Sequence, residues 1–384
     1  MDTPVLPHYT TGTLADVLPS ALAGLGVPGV TNTLELPATR AVCVLLVDGL
    51  GWSLLREHAD LAPTLTALAA GAEPITVCWP STTATSLASL GTGLPPGEHG
   101  IVGYSFDTGR GELLNALGWA RHGRGRPADL RERVVPEEFQ PRQTMWERAS
   151  AAGVAVHQMA LRDHRDSGLT RAVLRGGNFH SVHAVGDLVA TTVTMLNSAD
   201  RTLCYAYHAD LDLLGHVYGP DSEPFRLQLN LVDHLVSMLV ERLPADTQLL
   251  ITGDHGMVTI GADDRIDFDT HADLPTGVRA LGGEARARHV YAKPGAAEDV
   301  LATWRAVLGE RAWVVSRDEA IDAGWLGPVV TDEVRPRVGD VVAAARGTTA
   351  IVRSEVERRL SRLLGHHGSL TAQEQFVPLL RMRS

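Results

Sequence analysis

The chain has 384 residues, 44% hydrophobic and 21% charged, enough apolar material for a large core in one domain or in a domain with an inserted cap. A net charge of -11 sets it against a nucleic-acid backbone as partner. No apolar run approaches membrane-spanning length, and Met1-Asp-Thr-Pro shows no basic region followed by an apolar stretch. The expectation is therefore a soluble, cytoplasmic protein with no membrane partner, its oligomeric state left open.

The spacing predicts a short helix over 14–25 and then a continuous apolar run over 40–47 that ends in Asp48-Gly-Leu-Gly. An apolar run without alternation reads as a strand buried on both faces, as in a parallel sheet. Helical spacing follows over 52–57 and 62–70. A second apolar run, 75–79, breaks at Pro80-Ser-Thr-Thr83 and gives way to small, helix-compatible residues up to Gly91. That reads as a strand, a turn and a helix start crowded with hydroxyls, close to free N–H groups and the positive end of a helix dipole.

Residues 104–142 lack a period and read as a loop or cap near the site. From 143 the alternation resumes, with a helix to 152, a strand at 154–159 and loops to about 180. A helix at 184–197, a strand at 201–207, a long helix at 223–243 and a strand at 247–252 follow. Later elements are strands at 285–291, 312–316, 340–344 and 350–352, and helices at 296–308 and 356–364. Alternating strands and helices predict an α/β fold with a mostly parallel, helix-covered sheet. Cys43, Cys78 and Cys204 sit in apolar runs and read as small buried hydrophobes.

Sites in α/β sheets collect at the carboxyl ends of strands. Asp48 ends the first run, and Asp254-His255 ends the run Leu249-Leu-Ile-Thr. Asp210 and Asp212 follow Cys204-Tyr-Ala-Tyr-His, and Asp212 and His216, four residues apart, share one helical face. His366-His367 lie between glycines near the C-terminus. Each element alone has an ordinary reading as a turn former, a solvated helix face or an exposed loop. Together they supply three carboxylates, three imidazoles and a hydroxyl, the inventory of a two-metal site with zinc-like N/O ligands.

In their order along the chain these motifs resemble the alkaline phosphatase superfamily, and within it the type I phosphodiesterase/nucleotide pyrophosphatase branch. The matching pieces are Val47-Asp-Gly, Pro80-Ser-x-Thr83, Thr92-Gly-Leu-x-Pro-x-x-His99-Gly-Ile, Asp212-x-x-Gly-His216-x-x-Gly-Pro220, Gly253-Asp-His-Gly-Met257 and His367-Gly368. The resemblance implies one catalytic domain over 1–384. It would be a three-layer α/β/α fold with a small cap insertion, 104–142 and 160–182 being cap or pocket-shaping loops. It further implies one divalent ion held by Asp48, Asp254 and His255, and another held by Asp212, His216 and a late histidine. The late ligand is His367 and not His366, because the family's last ligand immediately precedes a glycine. Asp210 is the outside alternative to Asp212. The ions would be Zn2+, with Mn2+ or Fe as alternatives.

Ser81, Thr82 and Thr83 compete as nucleophile. The resemblance selects Thr83, third after Pro80 and nine residues before Thr92, and makes it a metal ligand as well. It would attack phosphorus and pass through a phospho-threonine. Tyr104 stands where the branch has a phosphate-binding asparagine, so it is the expected substrate-binding residue, as a hydroxyl donor or an aromatic wall. Ala84 stands where the branch has a base-stacking aromatic residue. His271, Asn115, Arg286 and Arg288 are weaker candidates, the two arginines being expected on a solvated strand edge. The implied function is hydrolysis of a small-molecule phosphoester, as a phosphodiesterase or nucleotide pyrophosphatase. The alternatives are a phosphomonoesterase, phosphonate hydrolase or phosphomutase of the same superfamily, and a non-catalytic metal-binding scaffold.

Overall fold

The computed structural model describes residues 3–9 and 11–384. Its centre is a six-stranded sheet in the order Leu379–Arg383, Thr247–Thr252, Ala41–Val47, Thr202–His208, Ala155–Leu161, Asn178–Val182, parallel except for the C-terminal edge strand. The unalternating run reads as expected, since all seven residues of Ala41–Val47 are buried. Val42, Val44 and Leu46 face one core with Trp79 and Leu87. Ala41, Cys43, Leu45 and Val47 face the other with Phe225, Leu229 and Val232 of the long helix Glu223–Val240. The sheet is thus covered by helices on both faces, and each face buries its own side-chain row.

The three central strands, Thr247–Thr252, Ala41–Val47 and Thr202–His208, run in register and end together, so the residues after them meet at one edge. The helix Thr83–Thr92 starts at that edge, where Thr83 meets His255. All ten of its residues are buried, and it stops at Gly93 in the left-handed conformation (φ 67°) that ends many helices. Gly91 lets it pass close to the chain at Val173, whose carbonyl would lie 2.0 Å from any Cβ there.

A second, four-stranded antiparallel sheet is ordered Val278–Glu284, Ala287–Ala292, Val341–Ala345, Ala312–Ser316. Its first strand was not expected from the sequence, because Gly282-Gly283 interrupts any alternation. The 104–142 segment carries a small sheet of Ser105–Asp107, Leu113–Asn115 and Ala120–Arg121. That sheet leans on the second one through the Ser105 hydroxyl, which donates to the Gly283 carbonyl at 2.9 Å.

Four expectations differ from the structure. The run 75–79 pairs only over Ile75–Thr76, with Phe376–Val377. Residues 160–182 hold a helix, Gly168–Val173, and the edge strand Asn178–Val182, which spends the segment on the central sheet. The expected helix 356–364 is reduced to a single 3-10 turn, Leu360–Arg362. The Arg265 guanidinium takes the carbonyls of Ser361 and Leu363, and Glu357 is drawn inward to Arg288. Finally, Arg286 and Arg288 are fully buried, not solvated. Each is held by a glutamate in a two-pronged pair, Arg286 with Glu374 (3.1 and 2.6 Å) and Arg288 with Glu357 (3.1 and 2.8 Å).

Removing one partner of such a pair leaves an uncompensated buried charge. Glu374→Ala should therefore lower the unfolding free energy by about 3–5 kcal/mol in urea titrations. A loss below about 1 kcal/mol would show that Arg286 finds another partner. Burial alone would raise the Glu357 carboxyl, but Arg288 and His122 outweigh it and hold it at about 2, against an ordinary 4.5. This group's contribution is fully present above pH 4.5 and disappears as the pH falls toward 2. Glu357→Gln should flatten the acid limb of the stability curve in that window, by on the order of 3 kcal/mol.

Candidate active site

Asp48 follows the strand Ala41–Val47 and is buried. The adjacent Gly49 has φ 77° and lies so near Asp212 that a Cβ would sit 3.0 Å from its Cα. The Gly49 amide donates to Asp254 Oδ1 at 3.0 Å, which ties the ends of two neighbouring strands together. Asp48 Oδ2 accepts from the Tyr207 hydroxyl. Asp212 and His216 share one face of the helix Asp210–Tyr218, with Oδ1 and Nε2 3.4 Å apart. Asp210, on the same helix, is exposed and stays outside the cluster.

The three imidazoles share one device. His255, His216 and His367 each set Nδ1 against a backbone carbonyl, of Gly256 (3.0 Å), Gly365 (2.7 Å) and Ser81 (2.9 Å). A carbonyl only accepts, so each Nδ1 carries the proton and each Nε2 is left bare. These bare nitrogens converge. Those of His216 and His367 are 3.3 Å apart, and that of His255 lies 3.2 Å from Thr83 Oγ1 and 3.3 Å from Asp48 Oδ1. The His255 and His367 rings stack at 3.5 Å.

Two triads result, Asp48/Asp254/His255 and Asp212/His216/His367, each with all ligand atoms within 4.8 Å of one another. His366 is in neither, and its Nε2 meets the Leu363 carbonyl instead. Asp48 Oδ1, Asp212 Oδ1 and Asp254 Oδ2 are buried without a hydrogen-bond partner among the described residues. Orphaned carboxylate oxygens facing bare imidazole nitrogens are the donor set of a divalent cation, so the residues fit such ions. The electrostatics agree. Burial, and then Asp48, pushes the Asp254 carboxyl up to about 7. Burial works against a charged His255, yet Asp254, Asp48 and Asp212 outweigh it and raise the imidazole to about 10, so without cations a second proton sits on Nε2, the nitrogen from which a bound cation would displace it. The cluster holds more negative charge than the protein balances.

Thr83 opens its helix, with Thr82 extended at the N-cap. The helix hydroxyls fix the turn: Ser86 donates to the Asp254 carbonyl at 2.6 Å, and Ser89 meets His99 Nε2 at 3.0 Å. Burial, and then Arg337, lowers His99 to about 3, so the His-Gly-Ile histidine is a neutral structural group.

A cavity of about 280 Å³ opens beside Thr82 and Thr83, with Tyr104, Leu117, Asp212, His216, Glu284 and His367 among its walls. No residue of 160–182 lines it. Burial first pushes the Tyr104 hydroxyl up to about 12, so it stays protonated and can donate. Asn115 meets Tyr104, and both line an outer recess. His271 lies elsewhere, its Nδ1 accepting from the Asp273 and Leu274 amides. Tyr207 and Glu284 were missed from the sequence. Tyr207 sits in an ordinary buried strand, and Glu284 follows a Gly-Gly step that reads as a turn.

The sequence model of the type I phosphodiesterase / nucleotide pyrophosphatase family matches residues 42–370. The human GPI ethanolamine phosphate transferase 3 catalytic subunit is 36% identical over 66 residues, 17% of this chain and 6% of that protein, so the chain matches only a small part of that relative's length. Murine ectonucleotide pyrophosphatase / phosphodiesterase 5, solved as an inactive threonine-to-alanine variant with AMP, aligns with TM-score 0.67 at 19% identity over 88% of this chain and 87% of that one. Phosphonoacetate hydrolase from Sinorhizobium meliloti, with phosphonoacetate, aligns with TM-score 0.65 at 19% identity over 90% and 91%. These two likenesses show the alkaline-phosphatase-like fold.

The two triads predict two divalent metal ions per chain by elemental analysis after gel filtration, and one in Asp212→Asn. Two retained ions in that variant would contradict the assignment of Asp212.

Proposed function

The chain belongs to the type I phosphodiesterase / nucleotide pyrophosphatase family, and from that premise we propose that it hydrolyses small phosphodiesters through Thr83. The observation that carries this reading is the Thr83 hydroxyl, held 3.2 Å from an imidazole nitrogen where six donor residues, four of them buried, converge. Asp48, Asp254 and His255 would hold one divalent ion, and Asp212, His216 and His367 the other. The imidazole-rich donor set favours zinc, with manganese or iron as alternatives. Ions bound there supply positive charge that acidifies the Thr83 hydroxyl and neutralises phosphoryl oxygens.

The chain's own residues account for the rest. Thr83 Oγ1 attacks phosphorus, the Oγ–P bond forms, and the bond from phosphorus to the departing ester oxygen breaks. Water then attacks the phospho-threonine, the Oγ–P bond breaks, and a phosphomonoester leaves. Free N–H groups and the dipole at the start of Thr83–Thr92 favour negative charge on the transferred group. Tyr104 donates from the cavity wall in place of an amide. The inactivity of the threonine-to-alanine variant of the murine relative supports Thr83, and its AMP complex supports a nucleotide-sized phosphoester as one substrate.

Thr83→Ala should lower hydrolysis of bis(4-nitrophenyl) phosphate by on the order of a thousandfold or more. Acid quenching during turnover, followed by tandem mass spectrometry, should place the phosphoryl adduct on Thr83. An adduct on Thr82, or full turnover in Thr83→Ala, would refute Thr83 as nucleophile.

A further inference from the structure

Four buried carboxylate oxygens in this chain lack a hydrogen-bond partner among the described residues: Asp48 Oδ1, Asp212 Oδ1, Asp254 Oδ2 and Glu284 Oε1. The two triads account for the first three. Glu284 belongs to neither. It ends the strand Val278–Glu284, and its Oε2 accepts from the Thr82 hydroxyl at 3.0 Å. Gly368 backs it so closely that a Cβ there would lie 3.0 Å from its Cγ, Cδ and Oε1. The carboxyl is therefore wedged between the turn that carries Thr83 and the glycine after His367, and it lines the cavity.

Its surroundings balance it only in part: burial outweighs the attraction of His255 and Arg288 and raises the Glu284 carboxyl to about 8. Arg288 is the one basic side chain there besides the histidines, and it is committed to Glu357 and to the Ile351 carbonyl. The nearest imidazole atom, His367 Nδ1, is 3.9 Å away and already bonded to the Ser81 carbonyl. A third metal ion finds no second donor at this spot. The neighbouring wall, Leu117, Ala285, Val352, Leu360 and Leu363, is apolar. A buried carboxylate without a partner is costly, and a charge-assisted hydrogen bond relieves that cost. An anion beside carbon surface fits an organic ammonium on a short alkyl chain.

Position decides which part of the substrate this is. Displacement at phosphorus is in line, so the departing oxygen lies opposite Thr83. Glu284 is tied to Thr82, on the nucleophile's own turn, and so meets the group that stays on phosphorus. Resting on the phosphodiesterase reading above, we propose that Glu284 is the specificity residue of this site. It accepts a hydrogen bond from a protonated amine on the retained alcohol, which makes amino-alcohol phosphodiesters the favoured substrate class.

The test compares two chromogenic diesters on the zinc-loaded chain, 4-nitrophenyl 2-aminoethyl phosphate and 4-nitrophenyl ethyl phosphate. They share a leaving group and differ in the amine. The aminoethyl diester should be favoured about tenfold or more in kcat/KM, the worth of one hydrogen bond to a charged group. E284Q, which can keep the Thr82 contact, should bring the ratio to within about twofold while still holding both zinc ions. Equal turnover of the two diesters by the wild-type chain, or a preference that survives E284Q, overturns the role of Glu284 and leaves the phosphodiesterase reading standing. Hydrolysis of neither diester overturns both. The wild-type comparison decides the matter even where the variant does not fold.

Discussion

Each of three imidazoles is locked by a backbone carbonyl on one nitrogen and turns the other toward carboxylate oxygens that have no hydrogen-bond partner among the described residues. The surrounding architecture is arranged to hold that arrangement. A lone buried carboxylate would take up a proton or move to water. Here Asp48, Asp254 and Asp212 cannot move, because they follow or flank the ends of three adjoining strands whose register is set by core packing on both faces. The negative charge is a property of the fold, and bound cations would complete it.

The parts that close this centre come from far along the chain. The strap with His367 and Gly368 reaches the nucleophile turn through the Ser81 amide, which donates to the Gly368 carbonyl, and through the Ser81 hydroxyl, which donates to the Ser369 carbonyl at 2.8 Å. The strap is pinned in turn by Glu374, which accepts from the Ser369 amide and grips Arg286. Buried ion pairs are an expensive way to gain stability, and apolar side chains would serve as well. Their use here is positional. Arg286 joins the second sheet to the strap, and Arg288 with Glu357 fixes the segment that walls the cavity, so substrate-facing groups stand on rigid elements.

The centre was legible in the sequence where chemistry coincides with local pattern. Unalternating apolar runs ending in Asp48 and Asp254, and the four-residue step from Asp212 to His216, carry their geometry in their spacing. The choice of His367 rested on the family resemblance, in which the last ligand precedes a glycine. The rest depended on distant contacts. Nothing near Glu284 marks it, because its meaning comes from Thr82 and Gly368, residues remote in sequence. Arg286 and Arg288 read as a solvated edge because their glutamates lie 88 and 69 residues away. The segment 356–364 has helical spacing, but side chains that take its carbonyls and draw Glu357 inward override that preference.

The central claim is that two divalent cations share one buried centre around Thr83, and diffraction from zinc-loaded crystals at the zinc absorption edge tests it most directly. Two anomalous peaks are predicted, one among Asp48, Asp254 and His255 and the other among Asp212, His216 and His367. A single peak, or peaks away from these six side chains, would contradict the account.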